Sequence, residues 1–505
     1  MKKIGFNFVL LLSGMLWVIL NFASPALAEV AKVNLVQIND VYEITPVEGG
    51  KWGGLARVAT LRQELLADNP QTYLILAGDL LSPSALGTAV VDGEPLAGRQ
   101  IVDIMNHLGL DYATFGNHEF DLSETEFYQR LQESKFVWVS GNVTDGAGQL
   151  LPNVSSYVIL EVPGDQGGVI KIGFIGLTID SNPSQYVQYR DPITVAQQQV
   201  NQLRDQVDII VAITHLSIDQ DRQLAHEVPE IDLILGGHEH ENIQQWRVVN
   251  RDPASAICSR QTTPIFKADA NVRTVYIHQL TYDTDSRCLT IDSRLQPITD
   301  RIADDSQMTT LVQAWLEKGF TGFRAQGFEP TEVVGTIDEF LNGLEESVRN
   351  YPTNLTDLIA RSMLREADQA QLAIFNSGAI RIDDQLPPGQ ITQYDIIRIL
   401  PFGGKVLTVQ MSGELLQRVL DQGEKNRGMG GYLHTANVGW DQDAGTWTIQ
   451  GKPLELRASY RVAINDFLVS GNEQNLGFLK LGVAGIELLQ TGNDVRFALI
   501  QELSN

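Results

Sequence analysis

Cysteine is nearly missing from this chain, with only Cys258 and Cys288 among 505 residues. Two thiols cannot close a structural zinc site on their own, so a metal centre here must draw on nitrogen and oxygen donors. Basic residues are the next shortage: 37 Lys and Arg stand against 62 Asp and Glu, a net charge of −25. Such a surface excludes nonspecific binding to nucleic-acid polymers or anionic membranes. It also means that a phosphate ligand needs positive charge supplied locally. Internal repeats, low-complexity tracts and basic stripes are absent as well.

What is present is ordinary for a globular protein, 43% apolar and 20% charged residues, and the length predicts two or three domains. Residues 1–28 have the form of a secretory signal: Lys2-Lys3, an apolar run over residues 4–20, and Ala26-Leu27-Ala28 before Glu29. An uncleaved anchor is the alternative, because the run approaches spanning length. Cleavage is the expectation, giving a periplasmic or extracellular protein with no stable membrane anchor. Without that segment's two lysines the charge of −25 becomes −27. No cysteine adjoins the cleavage point, which argues against a lipoprotein, and residues 501–505 are too polar for a lipid-anchor signal. In an exported protein Cys258 and Cys288 are expected to form a disulfide; two buried thiols are the alternative.

Five short apolar runs punctuate the first half, at residues 32–38, 73–76, 112–115, 207–213 and 231–235. Their composition predicts buried strands, with amphipathic helices at 55–66 and 98–108 between them. Each run ends in a polar cluster. The first ends in Asn39-Asp40-Val41-Tyr42, the second in Gly78-Asp79, and the third in Gly116-Asn117-His118-Glu119-Phe120-Asp121. The last two end in Thr214-His215 and Gly237-His238-Glu239-His240. Strands alternating with helices imply an α/β architecture that binds its ligand beyond the strands' carboxyl ends. Four of the eight histidines fall in these loops. Asp40, Asp79, Asn117, His215, His238 and His240 together offer carboxylate, amide and imidazole donors, a set suited to Zn, Mn, Fe or Co. His238 and His240, two apart in a segment taken as extended, are expected to point the same way and address two adjacent metals, with Asp79 able to bridge them. Two such ions, about 3.5–4 Å apart, clamp the attacking and leaving oxygens of a phosphoryl transfer.

These blocks resemble the calcineurin-like metallophosphoesterase superfamily and, within it, the 5'-nucleotidase family of exported nucleotide hydrolases. Residues 53–60 (GGLARVAT) and Phe120-Asp121 are similar to that family too. The resemblance implies a four-layer α-β-β-α metal domain (residues 29–300), a connecting helix (301–332) and a smaller α+β substrate-binding domain (333–505). It implies that Asp40 and His240 hold one metal, Asn117, His215 and His238 the other, and that Asp79 bridges. His118, oriented by Asp121, would stabilise the phosphoryl group or assist the leaving oxygen, while a metal-bound hydroxide attacks phosphorus in line. Tyr42 stands where the family usually has histidine. It is either a phenolate ligand, suited to ferric iron, or a wall residue beside a weakened site.

In the second half the resemblance rests on residues 376–381 (NSGAIR), 389–395 (GQITQYD), 400–404 (LPFGG) and 460–471 (YRVAINDFLVSG). It implies that Asn376 and Arg381 contact phosphate and ribose and that Phe402 and Phe467 sandwich the base. Without it, both rings would be assigned to the core and Arg381 to an ion pair with Asp383 or Asp384. Two positions depart from the family. Glu473 stands in place of an aspartate that takes ribose hydroxyls, and Asn354 in place of an arginine, for which the nearby Arg349 is a candidate substitute. The expected function is hydrolysis of nucleoside monophosphates by two transition-metal ions. Hydrolysis of nucleotide sugars or 2',3'-cyclic nucleotides, and nucleotide binding without turnover, are the alternatives.

Overall fold

The computed structural model describes residues 30–181, 184–248 and 262–504. The signal-like segment and Cys258 lie outside them, so the expected disulfide falls partly outside the described residues.

The five ligand-bearing strands are β1 (Val30–Ile38), β2 (Thr72–Ala77), β3 (Tyr112–Thr114), β4 (Ile209–His215) and β5 (Leu233–Gly236). β1, β2 and β3 are parallel neighbours in a seven-stranded sheet, and β4 and β5 are parallel neighbours in a six-stranded one. The alternation along β1 shows why the two sheets stack. Val33 and Leu35 turn into a dry layer shared with Phe174, Val211, Ile213, Leu235 and Phe266 of the second sheet. Val36 and Ile38 turn outward, onto the helices Leu55–Asp68 and Arg99–Leu108. The outer face of the second sheet is covered by helices Pro192–Leu203 and Ile218–Glu227. The result is the α-β-β-α order, with every ligand-bearing strand ending at the same edge of the sandwich.

The helix α1 (Ser306–Ala325) follows, capped by Asp305, whose side chain accepts from the Met308 amide. It packs on the first domain through Met308, Val312, Trp315 and Phe323. The second domain is built on a five-stranded sheet with apolar layers on both faces. Its helix α2 (Gln393–Ile399) returns to the connector, where Tyr394 meets Phe320 edge-on at 4.8 Å between ring centres.

One buried cation braces the β5 loop from below. Lys267 donates to the carbonyls of Leu216 (2.6 Å) and Gly237 (2.8 Å) and pairs with Asp221 (2.9 Å) and Glu239. Burial works to strip its proton, but the two carboxylates outweigh that and raise its pKa above the usual lysine value. Removing one member of a buried ion cluster leaves uncompensated charge, at a cost of about 3–5 kcal/mol. Lys267→Met is therefore expected to destabilise the first domain by about that amount in denaturant unfolding. Adding Asp221→Asn should recover part of the loss.

Candidate functional site

The strand ends converge. Asp40 and Asp79, directly after β1 and β2, both take positive φ (52° and 57°), which turns their carboxylates back over the sheet edge. Gly78, before Asp79, also has φ +83°, and a β-carbon there would lie 2.4 Å from His215 Nδ1. A side chain at Gly116 would strike Asp79 Oδ1 at 2.0 Å. The glycines flanking the polar clusters are therefore where one loop's backbone passes against another loop's donor.

Asp40, Asp79 and His215 are fully buried and present ligand atoms all within 4.8 Å of one another. His215 Nδ1 donates to the Ala77 carbonyl at 2.8 Å, which fixes the ring so that Nε2 faces the carboxylates. That nitrogen lies 3.3 Å from Asp79 Oδ2 and 3.9 Å from Asp40 Oδ1, without hydrogen-bond geometry to either. Asn117 Oδ1 is likewise buried, with no hydrogen-bond partner among the described residues. His238 packs its ring against His215, 5.2 Å between centres, and gives its backbone amide to Asp40 Oδ2 at 3.0 Å. On the other side, Tyr42 OH lies 2.9 Å from Asp79 Oδ2, 3.2 Å from Asp40 Oδ1 and 3.0 Å from His240 Nε2. Asp79 Oδ2 thus faces both halves of the cluster.

The electrostatics call for a cation. Burial lowers the pKa of His215, but the charges of Asp79 and Asp40 overcome it and push it up to about 9. For His240 burial again opposes, and the carboxylates of Glu345, Asp40 and Asp383 raise it well above normal. Burial, followed by Asp79, Asp40 and Glu345, lifts the Tyr42 phenol far above its ordinary value, so by itself it stays neutral. His238 moves the opposite way, down to about 3, because burial and the neighbouring His215 both disfavour its charge. Protons on His215 and His240 hold the place of positive charge between buried carboxylates. A metal ion taking the place of those protons would find carboxylate, imidazole and amide donors, which fit a transition metal's preferences.

One expectation needs correction. His238 and His240 do not lie in an extended segment: both have positive φ (90° and 60°). They face different neighbours, His215 and Tyr42, because the loop coils and not through strand alternation. The structure also gives Glu119 and Glu239 work that the sequence did not suggest. Glu119 accepts from the amides of Asp79 (3.2 Å), Leu80 (2.5 Å), Leu81 (3.2 Å) and Gly116. Glu239 accepts from the Ile218 amide and from Lys267. In each of the two clusters a glutamate directly follows a histidine, a repeat that was the available signal.

His118 opens a short 3-10 turn and places Nδ1 2.6 Å from Asp121 Oδ2, to which Ser82 Oγ also donates at 3.3 Å. Next to this pair lies a cleft of about 410 Å³ between the domains, lined by Ser82, Asp121 and Leu122 on one side and Pro401, Phe402 and Arg496 on the other. Phe402 is 54% exposed and Phe467 46%, so neither is a core aromatic. Their loops are tied together where the Lys405 amide donates to Asp466 Oδ2 at 2.9 Å. Arg381 makes no ion pair with Asp383 or Asp384; its Nε donates to the Gly378 carbonyl at 2.8 Å and its guanidinium sits 5.7 Å from the Phe402 ring centre. Asn376 bridges Glu473 (2.7 Å) and Asn465 (2.9 Å) in the floor behind. Arg349 pairs with Glu345 at 2.7 Å, while Asn354 bonds the Phe340 carbonyl and the Asn342 amide. The second domain also reaches the cluster directly: Asp383 Oδ2 lies 3.0 Å from His240 Nδ1.

Comparison with known proteins agrees with this layout. The calcineurin-like phosphoesterase family matches residues 33–242, and the 5'-nucleotidase C-terminal domain matches residues 333–480. The trifunctional nucleotide phosphoesterase YfkN of Bacillus subtilis is 26% identical over 87% of this chain, which spans only 33% of that protein's length. The 5'-nucleotidase of Rattus norvegicus is 26% identical over 83% of this chain and 78% of its own. Among solved structures, a 5'-nucleotidase precursor from Thermus thermophilus superposes with a TM-score of 0.74 at 23% identity, covering 94% of this chain and 96% of that one. With both domains matched in order, and the donor cluster at the strand ends of the first, the chain belongs to the 5'-nucleotidase family of calcineurin-like phosphoesterases and is a metal-dependent phosphoric-ester hydrolase.

Proposed function

We propose that this protein is an exported hydrolase that releases phosphate from nucleoside monophosphates with two transition-metal ions. The observation that carries the reading is the packing of Asp40, Asp79 and His215 donor atoms within 4.8 Å, beside the unpartnered Asn117 Oδ1. Asp40, Tyr42 and His240 would hold one ion and Asn117, His215 and His238 the other, with Asp79 between them. Zn, Mn, Fe and Co all suit these donors. When bound, such ions neutralise the charge that develops on the phosphoryl oxygens. The chain's own groups do the rest. His118, fixed through Nδ1 by Asp121, turns its other ring nitrogen to the phosphoryl group, to stabilise its charge or give a proton to the leaving oxygen. Arg381 supplies the local positive charge that the acidic surface otherwise denies a phosphate. Phe402 and Phe467, exposed on linked loops, receive the base, and Glu473 with Asn376 faces the ribose. The nucleotide class is supported by the names of the Bacillus and rat relatives.

The organisation proposed is a signal at residues 1–28, a metal domain at 29–300, a connector at 301–332 and a substrate domain at 333–505. Among the described residues no helix is long and apolar enough to cross a membrane. Export rests on the sequence of residues 1–28.

Metal analysis joined to a phosphate-release screen over nucleotides tests the whole reading. Two ions per chain and turnover of monophosphates are expected; nucleotide binding with one ion or none and no turnover would make this a binding protein. Asp79→Asn should remove metal and activity together, and full activity in a fully metallated variant would exclude the bridging role. His118→Asn should lower kcat by about 10²–10⁴ with metal content unchanged. Phe402→Ala should raise KM for nucleotides roughly 5- to 150-fold, the equivalent of about 1–3 kcal/mol of stacking. It should leave hydrolysis of a small phenyl phosphate almost untouched. Equal effects on both substrates would assign the ring to packing.

A further inference from the structure

His240 differs from His215 and His118 in where its second nitrogen goes. His215 is oriented by the Ala77 carbonyl and His118 by Asp121, both within the first domain. His240 Nδ1 instead faces Asp383 Oδ2 at 3.0 Å and Glu345 Oε2 at 3.9 Å, both carried by the second domain. We propose that Asp383 is the positioning residue for His240, so that closing the second domain onto the first completes the donor set formed by Asp40, Tyr42 and His240. The inference rests on the reading that His240 Nε2 faces a metal ion.

Asp383 is built into this place. Its other oxygen accepts the Glu345 amide at 2.9 Å, its own φ is positive (38°), and its carbonyl accepts from Arg273 of the first domain. The adjacent Asp384 accepts the Glu48 amide at 3.2 Å and pairs at 2.8 Å with Arg398, which reaches across to Glu43 at 3.2 Å. This polar seam joins the domains one residue from the donor Tyr42. A carboxylate accepting from the far nitrogen of a ligating histidine fixes its tautomer and ring orientation and raises its basicity; losing such a partner typically costs 10- to 100-fold in metal affinity. Here the partner is available only when the domains are together. Binding linkage is reciprocal, so an ion at His240 must favour closure by the same factor by which closure favours the ion.

The test compares dissociation constants for Co(II) and Zn(II), measured against a competing chelator, in the full chain and in Asp383→Ala, Asp383→Asn and Arg398→Gln. One of the two ions is expected to bind about 10- to 100-fold more weakly in Asp383→Ala and by less in the isosteric Asp383→Asn, with the other ion unaffected. The visible Co(II) spectrum of the weakened site should change in Asp383→Asn. Arg398→Gln touches no donor but loosens the seam, and should weaken the same ion. Small-angle scattering should show metal-induced compaction in the wild type and less in Asp383→Ala. Folded Asp383 variants with unchanged constants, or with equal losses at both ions, would overturn the proposal. A wild type that binds no metal would instead overturn the reading beneath it.

Discussion

The carboxylate of Glu119 sits at the point where two loops have to be held together. Four backbone amides, from Asp79, Leu80, Leu81 and Gly116, converge on its two oxygens in the interior. Backbone N–H groups buried without partners are costly, and loops that end buried strands expose several at once. Glu119 satisfies those of both the β2 and β3 loops with one side chain, and in doing so sets the distance between Asp79 and Asn117. Burial pushes its pKa up to about 7, with Asp79 adding to the rise and the amides opposing it. Glu239 serves the β5 loop in the same manner, with Lys267 as counter-charge beneath it. The two donor-bearing histidine clusters are thus anchored from behind by acids that point away from the cluster.

Anchoring from behind matters because the cluster in front is self-repelling. Asp40 and Asp79 are wholly buried side by side, and Glu345 and Asp383 approach from the second domain. Buried like charges of this kind are retained at functional sites when something else compensates. Tyr42 shows the tension most clearly. Its single proton faces two carboxylate acceptors, Asp79 and Asp40, and can satisfy one at a time. A histidine at this position would offer a lone pair without any proton to displace; a phenol has first to give one up.

Much of this was legible along the chain, and for a definite reason. Buried parallel strands are short, apolar and continuous, so polar residues directly after them stand out, and Asp40, Asp79, Asn117, His215 and His238 were all marked by that contrast. Local rules also placed the helices Leu55–Asp68 and Arg99–Leu108 to within a few residues. What could not be read was backbone turning at residues that are not themselves glycine. The positive φ of His238 and His240 defeated an argument from strand alternation. Partnerships across the domain seam were equally hidden. Asp383 looked like a local partner for Arg381, whereas it sits against His240, 143 positions away. Nothing local distinguishes those two fates, because the choice is made by how the two domains meet.

How they meet is uneven from end to end. Near the connector the contact is apolar: Tyr394 of α2 packs on Phe320 of α1, and Ile397 joins the first domain's core. Near the donor cluster it is ionic, through Arg398 with Glu43, Arg273 with Asp383 and Asp384, and His240 with Asp383. Parting apolar surfaces costs about 25 cal/mol for each Å² exposed, with nothing to offset it. Parting ion pairs returns each charge to water, which repays much of the lost attraction. The contact at the donor-cluster end is therefore the cheaper of the two to part. The charges that make the seam easy to reopen are, at Asp383 and His240, the ones that bear directly on the donors.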